Sequence, residues 1–425
     1  MIDTPTNNLL WPLRYKTYSA RGLYIHIPFC QSKCAYCDFA SWRTADKDLQ
    51  MRDYVIAIQH QVEHMRWLGL LDECETCYIG GGTPSYLGKW LWWLCQTVHN
   101  NCELEEFSCE ANPESVTDEL LDLLAQEKVS RMSVGVQSFI PKELKALGRV
   151  HSSAKAKEAI LAIKNKGFDV SCDLMCGIPY QTKDTWQKSL SVACGLGVDH
   201  ISCYPLQIED HTGFGRAVQS GKMDMPDPDF QADCMLEARN ILQHADFSQY
   251  EVASYSKPGH ECAHNISYWS AKPYLGLGCG ASSMLTAKAY KRLQKAIPKL
   301  CDIDPSISRI RMKNTSTPTQ VAQSLSIDQM SFECEFLTLR QALAEDMMLA
   351  SRMRSGINPA LIDMAEQCMG HDLVQGRIKY LIDMGLCYEN EVDYICPTDK
   401  GWLLGNELYG QLWDLSEGEI QTARC

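Results

Sequence analysis

The sequence lacks a long uninterrupted hydrophobic segment. A membrane-spanning helix needs about 20 consecutive apolar residues, whereas the longest apolar run here, at positions 90–95, directly follows Lys89. The first residues also lack the basic stretch followed by an apolar stretch that marks a secretory signal peptide. The sequence therefore predicts a protein that has no transmembrane segment and lies in the cytoplasm.

Positive charge is also scarce. Lys and Arg total 40 against 53 Asp and Glu, which gives a formal net charge of −13. A negatively charged protein repels phosphate backbones, so we expect no nucleic-acid partner. Low-complexity segments and internal repeats are missing too, and a chain that is 45% hydrophobic and 22% charged has the composition of a folded globular protein rather than a disordered one.

Cysteine, in contrast, is abundant, with 21 residues. An odd number of cysteines without an export signal does not predict a disulfide framework. These residues are therefore interpreted as packing residues, metal ligands or catalytic thiols, and their spacing has to distinguish the three. We assign Cys74 and Cys77 to packing, because Cys77 lies inside a predicted strand, and we assign Cys172 and Cys176 in the same way.

Between positions 21 and 245, short β-rich runs alternate with longer amphipathic runs. The predicted strands are 22–27, 76–79, 106–109, 132–136, 170–175 and 200–204. The predicted helices are 54–67, 85–98, 117–126, 154–164, 185–195 and 229–244. Six strand–helix units predict a parallel sheet covered by helices, either an open doubly wound sheet or a barrel. In both architectures, functional residues collect at the carboxyl ends of the strands.

The rest of the chain has a different pattern. Residues 286–320 contain eight Lys or Arg against Asp302 and Asp304 alone, which predicts an exposed connector. Helical patterns and a hairpin follow, which predicts a small winged-helix-like α+β domain, although its 14 acidic and 7 basic residues over 338–425 argue against DNA binding. The predicted division is an N-terminal segment 1–20, a core 21–245, a connecting region 246–320 and a C-terminal domain 321–425.

Three cysteines directly after the first predicted strand form the strongest motif. Cys30, Cys34 and Cys37 have the spacing C-x3-C-x2-C. Thiolates are the ligands that iron–sulfur clusters prefer, and a [4Fe-4S] cluster held by three of them leaves one iron open for another ligand. A tetrahedral zinc site would need a fourth ligand, and the nearest candidates, His26 and Asp38, do not have zinc-finger spacing.

This spacing, with the aromatic Tyr36 before the last cysteine, resembles the radical S-adenosylmethionine (SAM) superfamily. The resemblance implies a partial (βα)6 barrel in which the open iron binds the amino and carboxylate groups of SAM, and in which SAM is cleaved to a 5′-deoxyadenosyl radical. A glycine run at 80–82, where backbone can approach a ligand closely, follows the second predicted strand. By the same resemblance, Gly81, Gly82 and Thr83 belong to the SAM amino-group site.

Polar residues also follow the later predicted strands. Glu110, Gln137, Arg149 and Asp173 supply an amide, a guanidinium and two carboxyl groups, which suit the ammonium, ribose and carboxylate of SAM. The resemblance implies that Arg149 pairs with the SAM carboxylate, that Gln137 and Asp173 contact the ribose, and that Glu110 contacts the amino-acid part. It also places two aromatic residues in the cofactor site, Tyr24 and Tyr36.

The motifs match the superfamily branch that includes oxygen-independent coproporphyrinogen III oxidases and HemW-like haem chaperones. Phe39 stands where the oxidases have a further cysteine, and only 29 residues precede Cys30; both features resemble the chaperones. The chaperones also carry His-Asn-x-x-Tyr-Trp, which begins here at His264. The resemblance favours His264 as a haem ligand, whereas the residues alone favour a histidine that is hydrogen-bonded inside the protein.

The resemblance therefore implies a haem chaperone that binds a [4Fe-4S] cluster, SAM and haem. It would pass haem to an acceptor protein, for example a respiratory haem protein, and a homodimer is an open alternative to a monomer. The competing hypothesis is a radical SAM enzyme that acts on a tetrapyrrole, by decarboxylating coproporphyrinogen or by methylating or opening a ring. Phe39 favours the chaperone, whereas the complete set of SAM residues keeps the enzyme open.

Overall fold

A computed structural model describes residues 17–324 and 326–425. The strands are β1 Gly22–Ile27, β2 Phe29–Cys30, β3 Trp42–Arg43, β4 Thr76–Gly81, β5 Glu106–Ala111, β6 Arg131–Gln137, β7 Asp169–Cys176, β8 His200–Pro205, β9 Ser248–Gln249, β10 Ser254–Ser256, β11 Tyr274–Leu277, β12 Ser282–Thr286, β13 Ile307–Asn314, β14 Phe332–Thr338, β15 Cys387–Glu389, β16 Ile395–Pro397 and β17 Gln421–Arg424. The helices are α1 Leu49–Trp67, α2 Lys89–Asn101, α3 Asp118–Gln126, α4 Pro141–Leu147, α5 Ser153–Asn165, α6 Lys183–Gly195, α7 Gly213–Gln219, α8 Pro228–His244, α9 Ala263–Trp269, α10 Ala287–Gln294, α11 Pro318–Gln323, α12 Leu339–Ala350, α13 Pro359–Met369, α14 His371–Asp383, α15 Asp399–Leu403 and α16 Gly405–Trp413.

Thirteen strands of the described chain form one sheet, in the order β17-β14-β13-β12-β11-β1-β4-β5-β6-β7-β8-β10-β9. The six predicted strands are confirmed as β1, β4, β5, β6, β7 and β8, and they pair in parallel. The sheet is open, because β9 and β17 are its two edges. All six predicted helices of this region are also confirmed, with ends that differ by a few residues.

The alternation of residue types along each strand explains why the sheet has one apolar and one polar face. On β1, Leu23 and Ile25 are buried in the hydrophobic core, and Cys77 and Ile79 occupy the corresponding positions of β4. The alternate residues of these strands, such as Tyr24 and His26 on β1, point to the opposite face. On β5, β6 and β7 the corresponding positions include Ser, Glu and Asp. The assignment of Cys77 to packing is confirmed, because its side chain is fully buried among apolar residues.

The polar face is covered at one end by α9. Residues of α9 and of the segment before it contact Thr76 on β4, Glu106 on β5 and Arg131 on β6. The amino ends of three neighbouring strands meet the segment, which leaves their carboxyl ends open toward the loop that carries the cysteine triplet.

The predicted exposed connector at 286–320 is wrong. This segment contains α10 and β13, and β13 pairs with β12 and β14 inside the main sheet. Two of its basic residues are paired inside the protein: Arg309 forms ion pairs with Glu345 and Asp346 on α12, and Arg311 pairs with Glu345. Glu345 and Asp346 lie more than 30 residues away in sequence from these two arginines, so local charge counting did not reveal them.

The predicted helices and hairpin after position 338 are present. Helices α12, α13, α14 and α16 bury a second hydrophobic cluster that includes Leu343, Met347, Leu361 and Leu408. The hairpin is β15 with β16. The flanking strands β14 and β17 return to the main sheet, so the division into domains remains a prediction. No helix in the described part of the chain combines the length and apolarity needed to cross a membrane.

Candidate cluster and cofactor site

The cysteine loop leaves β1 and passes directly beneath the glycine run that ends β4. Thr83 Oγ1 donates a hydrogen bond to Cys30 Sγ at 3.5 Å, and Arg149 Nη1 donates to Cys34 Sγ at 3.6 Å. Cys37 Sγ lies 3.8 Å from the hydroxyl of Ser41. Cys30 is buried, whereas Cys34 and Cys37 are partly exposed. Each of the three thiols therefore has a polar neighbour that can stabilise negative charge on its sulfur.

The three thiols are close enough to influence one another. Burial raises the pKa of Cys30, and the nearby thiols of Cys37 and Cys34 raise it further, against hydrogen bonds from Thr83 and Ser41. Nevertheless, no group of three His, Cys, Asp or Glu side chains among the described residues converges on a single ion. Among the described residues the three thiols therefore do not form a site for a single metal ion; in a four-iron cluster each thiolate binds a different iron.

The candidate fourth ligands for zinc are already engaged elsewhere. His26 Nε2 donates to the carbonyl of Ala40 at 2.8 Å, and its Nδ1 accepts from the hydroxyl of Tyr24 at 2.9 Å. Asp38 pairs with His211. These contacts leave the zinc interpretation without a fourth protein ligand in the described geometry.

The glycine run is required by close backbone contacts. A Cβ atom on Gly82 would lie 2.8 Å from the carbonyl oxygen of Phe29 and 3.0 Å from Cys30 Sγ. Gly81 has a φ of +114°, which a side chain disfavours, and its N–H donates to Glu110 Oε2 at 2.9 Å. The glycines thus bring β4 against the cysteine loop and direct a backbone donor onto a carboxylate.

Arg149 belongs to the rim, which is the set of polar residues at the carboxyl ends of the parallel strands next to the cysteine loop: Glu110, Gln137, Arg149 and Asp173. Its Nη2 donates to Asn112 Oδ1 and to the carbonyl of Gly135, both at 2.6 Å. Its Nε–H is buried and finds no acceptor among the described residues. A buried donor without an acceptor is costly, and a carboxylate bound at this position would supply one. This observation fits the SAM carboxylate that the sequence resemblance assigns to Arg149.

Gln137 ends β6 in an unusual conformation. Its φ is +67°, a left-handed value that a non-glycine residue adopts at a cost. The register between β6 and β7 shifts at this point, between Gly135 and Gln137. The shift turns the backbone so that Gln137 Nε2 approaches Gly135, whose added Cβ would lie 3.1 Å from it. The strained residue therefore lies beside Arg149, on the rim where ribose contacts are expected.

Two half-buried carboxyl groups, Glu110 and Asp173, lie near each other on the polar face. Burial raises the pKa of Glu110 to about 7, and the negative charge of Asp173 adds to the shift, whereas hydrogen bonds from Gly81 and Tyr78 oppose it. Burial raises the pKa of Asp173 to about 6, against hydrogen bonds from Ser202 and Ser133. Both groups would be stabilised in their charged form by a nearby cation, which is the property a site for an ammonium or sulfonium group needs.

The two predicted aromatic residues also lie at the site. Tyr24 donates to His26 and stacks on Tyr78, with ring centroids 6.4 Å apart. Tyr36 lies in the cysteine loop, where burial raises the pKa of its hydroxyl and contact with Arg149 opposes the shift. Phe39 is exposed. The structure therefore brings the predicted SAM residues and the cysteine triplet to one end of the sheet.

His264 lies at the opposite end. Its Nδ1 is 2.9 Å from Thr76 Oγ1, at the start of β4, and its Nε2 is 2.9 Å from the hydroxyl of Tyr268. The ring stacks on Tyr78 at 5.4 Å and is buried, and burial lowers the pKa of His264 to about 3. In this conformation both ring nitrogens have protein partners, so neither is available to a metal.

A buried network that the sequence interpretation missed holds His264 in place. Glu106 accepts hydrogen bonds from the backbone N–H groups of Ala263 at 2.9 Å and of His264 at 3.2 Å. Arg131 pairs with Glu106 and donates to the carbonyl oxygens of His260 and Glu261. The sequence interpretation also missed three side chains of the polar face, Tyr78, Ser133 and Ser202. The alternation of residue types along each strand is the signal that could have identified them.

Comparison with known proteins agrees with this geometry. The family described as the Radical SAM superfamily matches residues 24–193. The haem chaperone HemW of Lactococcus lactis is 31% identical over 391 residues, which cover 91% of this chain and 95% of that protein. The haem chaperone HemW of Escherichia coli is 37% identical over 270 residues, which cover 62% of this chain and 70% of that protein.

Among solved structures, the coproporphyrinogen III oxidase HemN of Escherichia coli, a radical SAM enzyme, superposes with a TM-score of 0.73. The alignment covers 94% of this chain and 92% of that chain at 20% sequence identity. This structural similarity establishes the α/β radical SAM fold, and the sequence similarity over nearly the whole length establishes the family. The chain belongs to the HemW family of radical SAM proteins.

Proposed function

We propose that this chain is a haem chaperone that holds a [4Fe-4S] cluster, binds SAM and haem, and delivers haem to an acceptor protein. The observation that carries the proposal is the shared rim: three cysteine thiols, a buried arginine N–H without an acceptor and two half-buried carboxyl groups with raised pKa values lie at one end of the sheet. The names of its relatives support haem as the ligand. We further propose a cytoplasmic location, with either a monomer or a homodimer as the working form.

Cys30, Cys34 and Cys37 are the proposed cluster ligands. When bound, the cluster would supply an open iron for a cofactor and a source of single electrons. The chain contributes the hydrogen bonds from Thr83 and Arg149 to two of the sulfurs. Donors to a thiolate stabilise its charge and thereby the more reduced form of a cluster, so these two residues position the cluster and adjust its potential.

The proposed SAM contacts follow from the charges on the rim. Arg149 Nε is the donor for the carboxylate, and the charged form of Glu110 is the partner for the ammonium group. Gln137 and Asp173 are the proposed ribose contacts. The other proposed residues of the SAM site surround the cofactor: Gly81, Gly82, Thr83, Tyr24 and Tyr36. Asp173 already accepts from Ser133 at 3.0 Å, so a ribose hydroxyl would compete with or extend that hydrogen bond.

Haem ligation by His264 requires a local rearrangement of the protein. Because Nε2 contacts the hydroxyl of Tyr268, a haem iron could reach it only after Tyr268 moves. The buried histidine is neutral at physiological pH, which is the protonation state that a metal ligand requires. Haem binding at this residue therefore predicts a local opening of α9, whose seven residues begin with no side-chain cap.

The experiment is a haem titration of the full chain with its iron–sulfur cluster reconstituted. The Soret absorption band measures haem binding. His264→Ala should shift or weaken the band, and Tyr268→Phe should tighten haem binding because it frees Nε2. His60→Ala is the matched control, since His60 is exposed on α1. Identical spectra for wild type, His264→Ala and Tyr268→Phe, with haem still bound, would show that haem binds elsewhere.

A radical SAM enzyme acting on a tetrapyrrole is the second candidate, because the complete rim would also serve catalysis. Anaerobic incubation of the reconstituted protein with SAM, dithionite and coproporphyrinogen III tests it directly. Formation of protoporphyrinogen would overturn the chaperone proposal. Haem transfer to an apo-haem protein without any change in coproporphyrinogen would support it.

A further inference from the structure

Two thiols far from the rim lie in unusually close contact. Cys301 Sγ and Cys425 Sγ are 2.9 Å apart, although 124 residues separate them in sequence. Both side chains are partly exposed. A third cysteine, Cys334 on β14, lies next to this pair and is buried. None of the three belongs to the cysteine triplet or to the rim, and the proposed function makes no use of them.

The backbone around both thiols is fixed by hydrogen bonds. Cys425 N–H donates to the carbonyl of Phe332 at 2.8 Å, and Phe332 N–H donates back to Cys425 at 2.7 Å. The carbonyl of Cys301 accepts from the hydroxyl of Tyr290 at 3.0 Å and from Gln294 Nε2 at 2.8 Å. The close approach of the sulfurs therefore results from two anchored segments, the end of β17 and the chain after α10.

We propose that Cys301 and Cys425 are a redox-sensitive pair that forms a disulfide under oxidising conditions. A low-molecular-weight disulfide such as oxidised glutathione is the oxidant. One protein thiolate attacks a glutathione sulfur, which forms a mixed disulfide and releases one glutathione; the second protein thiolate then attacks the protein sulfur and releases the other. Two electrons and two protons pass from the protein thiols to the two glutathione molecules.

The two sulfurs lie within hydrogen-bond distance of each other, and either can donate its S–H to the other. Either thiol can therefore begin the exchange once it is ionised, since the thiolate is the reactive form. Contact with Cys425 and burial raise the pKa of Cys301. Burial and the neighbouring Cys425 raise the pKa of Cys334 to about 12, so Cys334 remains a thiol while the other two react.

The disulfide would fix one wall of a groove. Strand β17 is the edge of the main sheet, and its residues Thr422 and Arg424 line a cavity of about 830 Å³ together with Tyr274, Arg311 and Glu335. An edge strand paired on one side only can separate from the sheet more easily than an interior one. Linking Cys425 to Cys301 would hold β17 in place and keep the groove in its present form.

The test treats the full chain, with its iron–sulfur cluster reconstituted, with reduced or oxidised glutathione. Mass spectrometry after alkylation should find Cys301 linked to Cys425 only in the oxidised sample. Cys95 and Cys109, whose sulfurs are 3.9 Å apart but fully buried, should remain reduced. Exposed Cys368 should carry glutathione and thereby show that the oxidant was active. Absence of the 301–425 link while Cys368 is modified would overturn the proposal, as would a link from Cys334 to Cys425.

Hydrogen exchange tests the consequence for β17. In the oxidised wild type, amides of 421–424 and their partners in β14 should exchange at least about tenfold more slowly than in the reduced protein, because the strand can no longer open independently. Cys301→Ser should abolish this difference, and Cys368→Ser should leave it unchanged. Equal exchange in the linked and reduced wild type would refute the role of the disulfide in holding the strand.

Discussion

Replacing Glu110 with Gln should make the protein more stable at alkaline pH. Glutamine has nearly the same shape, and its carbonyl oxygen can accept the hydrogen bond from the N–H of Gly81. The variant cannot ionise, so it avoids the cost of a buried negative charge. Removing a polar site residue should therefore stabilise the chain, which is the opposite of what most buried substitutions do.

The magnitude follows from the pKa of Glu110. Burial, the first cause, raises it from an ordinary value of 4.5 to about 7 in the folded chain. The folded state thus holds the proton more tightly, and its extra stability is complete below pH 4.5 and is lost as pH rises through 7. At about 1.4 kcal/mol per pH unit, wild type should lose about 3 kcal/mol relative to the Gln variant, most of it between pH 5 and 8.

Urea unfolding of wild type and Glu110→Gln at pH 5 and pH 8 measures this difference. Glu119→Gln is the matched control, because Glu119 is exposed on α3 and should give no comparable pH-dependent gain. Asp173→Asn should behave like Glu110→Gln, but the two gains should not add, because the charge of Asp173 is one cause of the raised pKa of Glu110. A Gln variant that is less stable than wild type at pH 8 would refute the raised pKa of Glu110.

Three further substitutions test the site and its support. Gly82→Ala should place a Cβ against two backbone oxygens and lower the iron content of the reconstituted protein, whereas Gly195→Ala, with open space around it, should not. Gln137→Gly should relieve the positive φ, raise the free energy of unfolding by about 1 kcal/mol and weaken SAM binding measured by calorimetry. Glu106→Gln should leave buried Arg131 poorly paired and lower the free energy of unfolding by about 3 kcal/mol in urea.

The parallel strands were predictable because their signal is local. Each strand alternates buried apolar residues with polar ones over at least four positions, and the helices between them carry apolar stripes. The ends were less certain: β4 continues through Gly81 and β5 through Ala111, beyond the predicted ends, because hydrogen bonds to neighbouring strands extend them. The rim residues followed from the same rule, since carboxyl ends of adjacent parallel strands meet at one edge of the sheet.

The wrong and the missing predictions have a common cause: in each case the residue interacts with a residue that lies far away in sequence. Arg309 and Arg311 looked solvated because their partner Glu345 is on α12. The position of His264 could not be inferred from its motif, because its contacts are with Thr76 and Tyr268. The left-handed conformation of Gln137 was equally hidden, since a register shift between two strands depends on both of them.

The polar face carries two groups of charged or polar residues on the same strands. Thr76 and Gly80 on β4, and Glu106 and Glu110 on β5, are each four positions apart, which corresponds to about 13 Å along a strand. The amino-end group holds α9 and His264, whereas the carboxyl-end group faces the cysteine loop. A ligand on His264 and a cofactor on the rim would therefore contact different ends of the same polar face and would not compete for contacts.

Tyr78 is the side chain that connects the two ends. Its ring stacks on His264 at 5.4 Å, and its hydroxyl forms a hydrogen bond with Glu110. A negative charge on Glu110 strengthens that hydrogen bond, because bonds to an ionised acceptor are stronger than bonds to a neutral one. Tyr78 therefore contacts the histidine at the amino end of the strands through its ring and a carboxyl group at the carboxyl end through its hydroxyl.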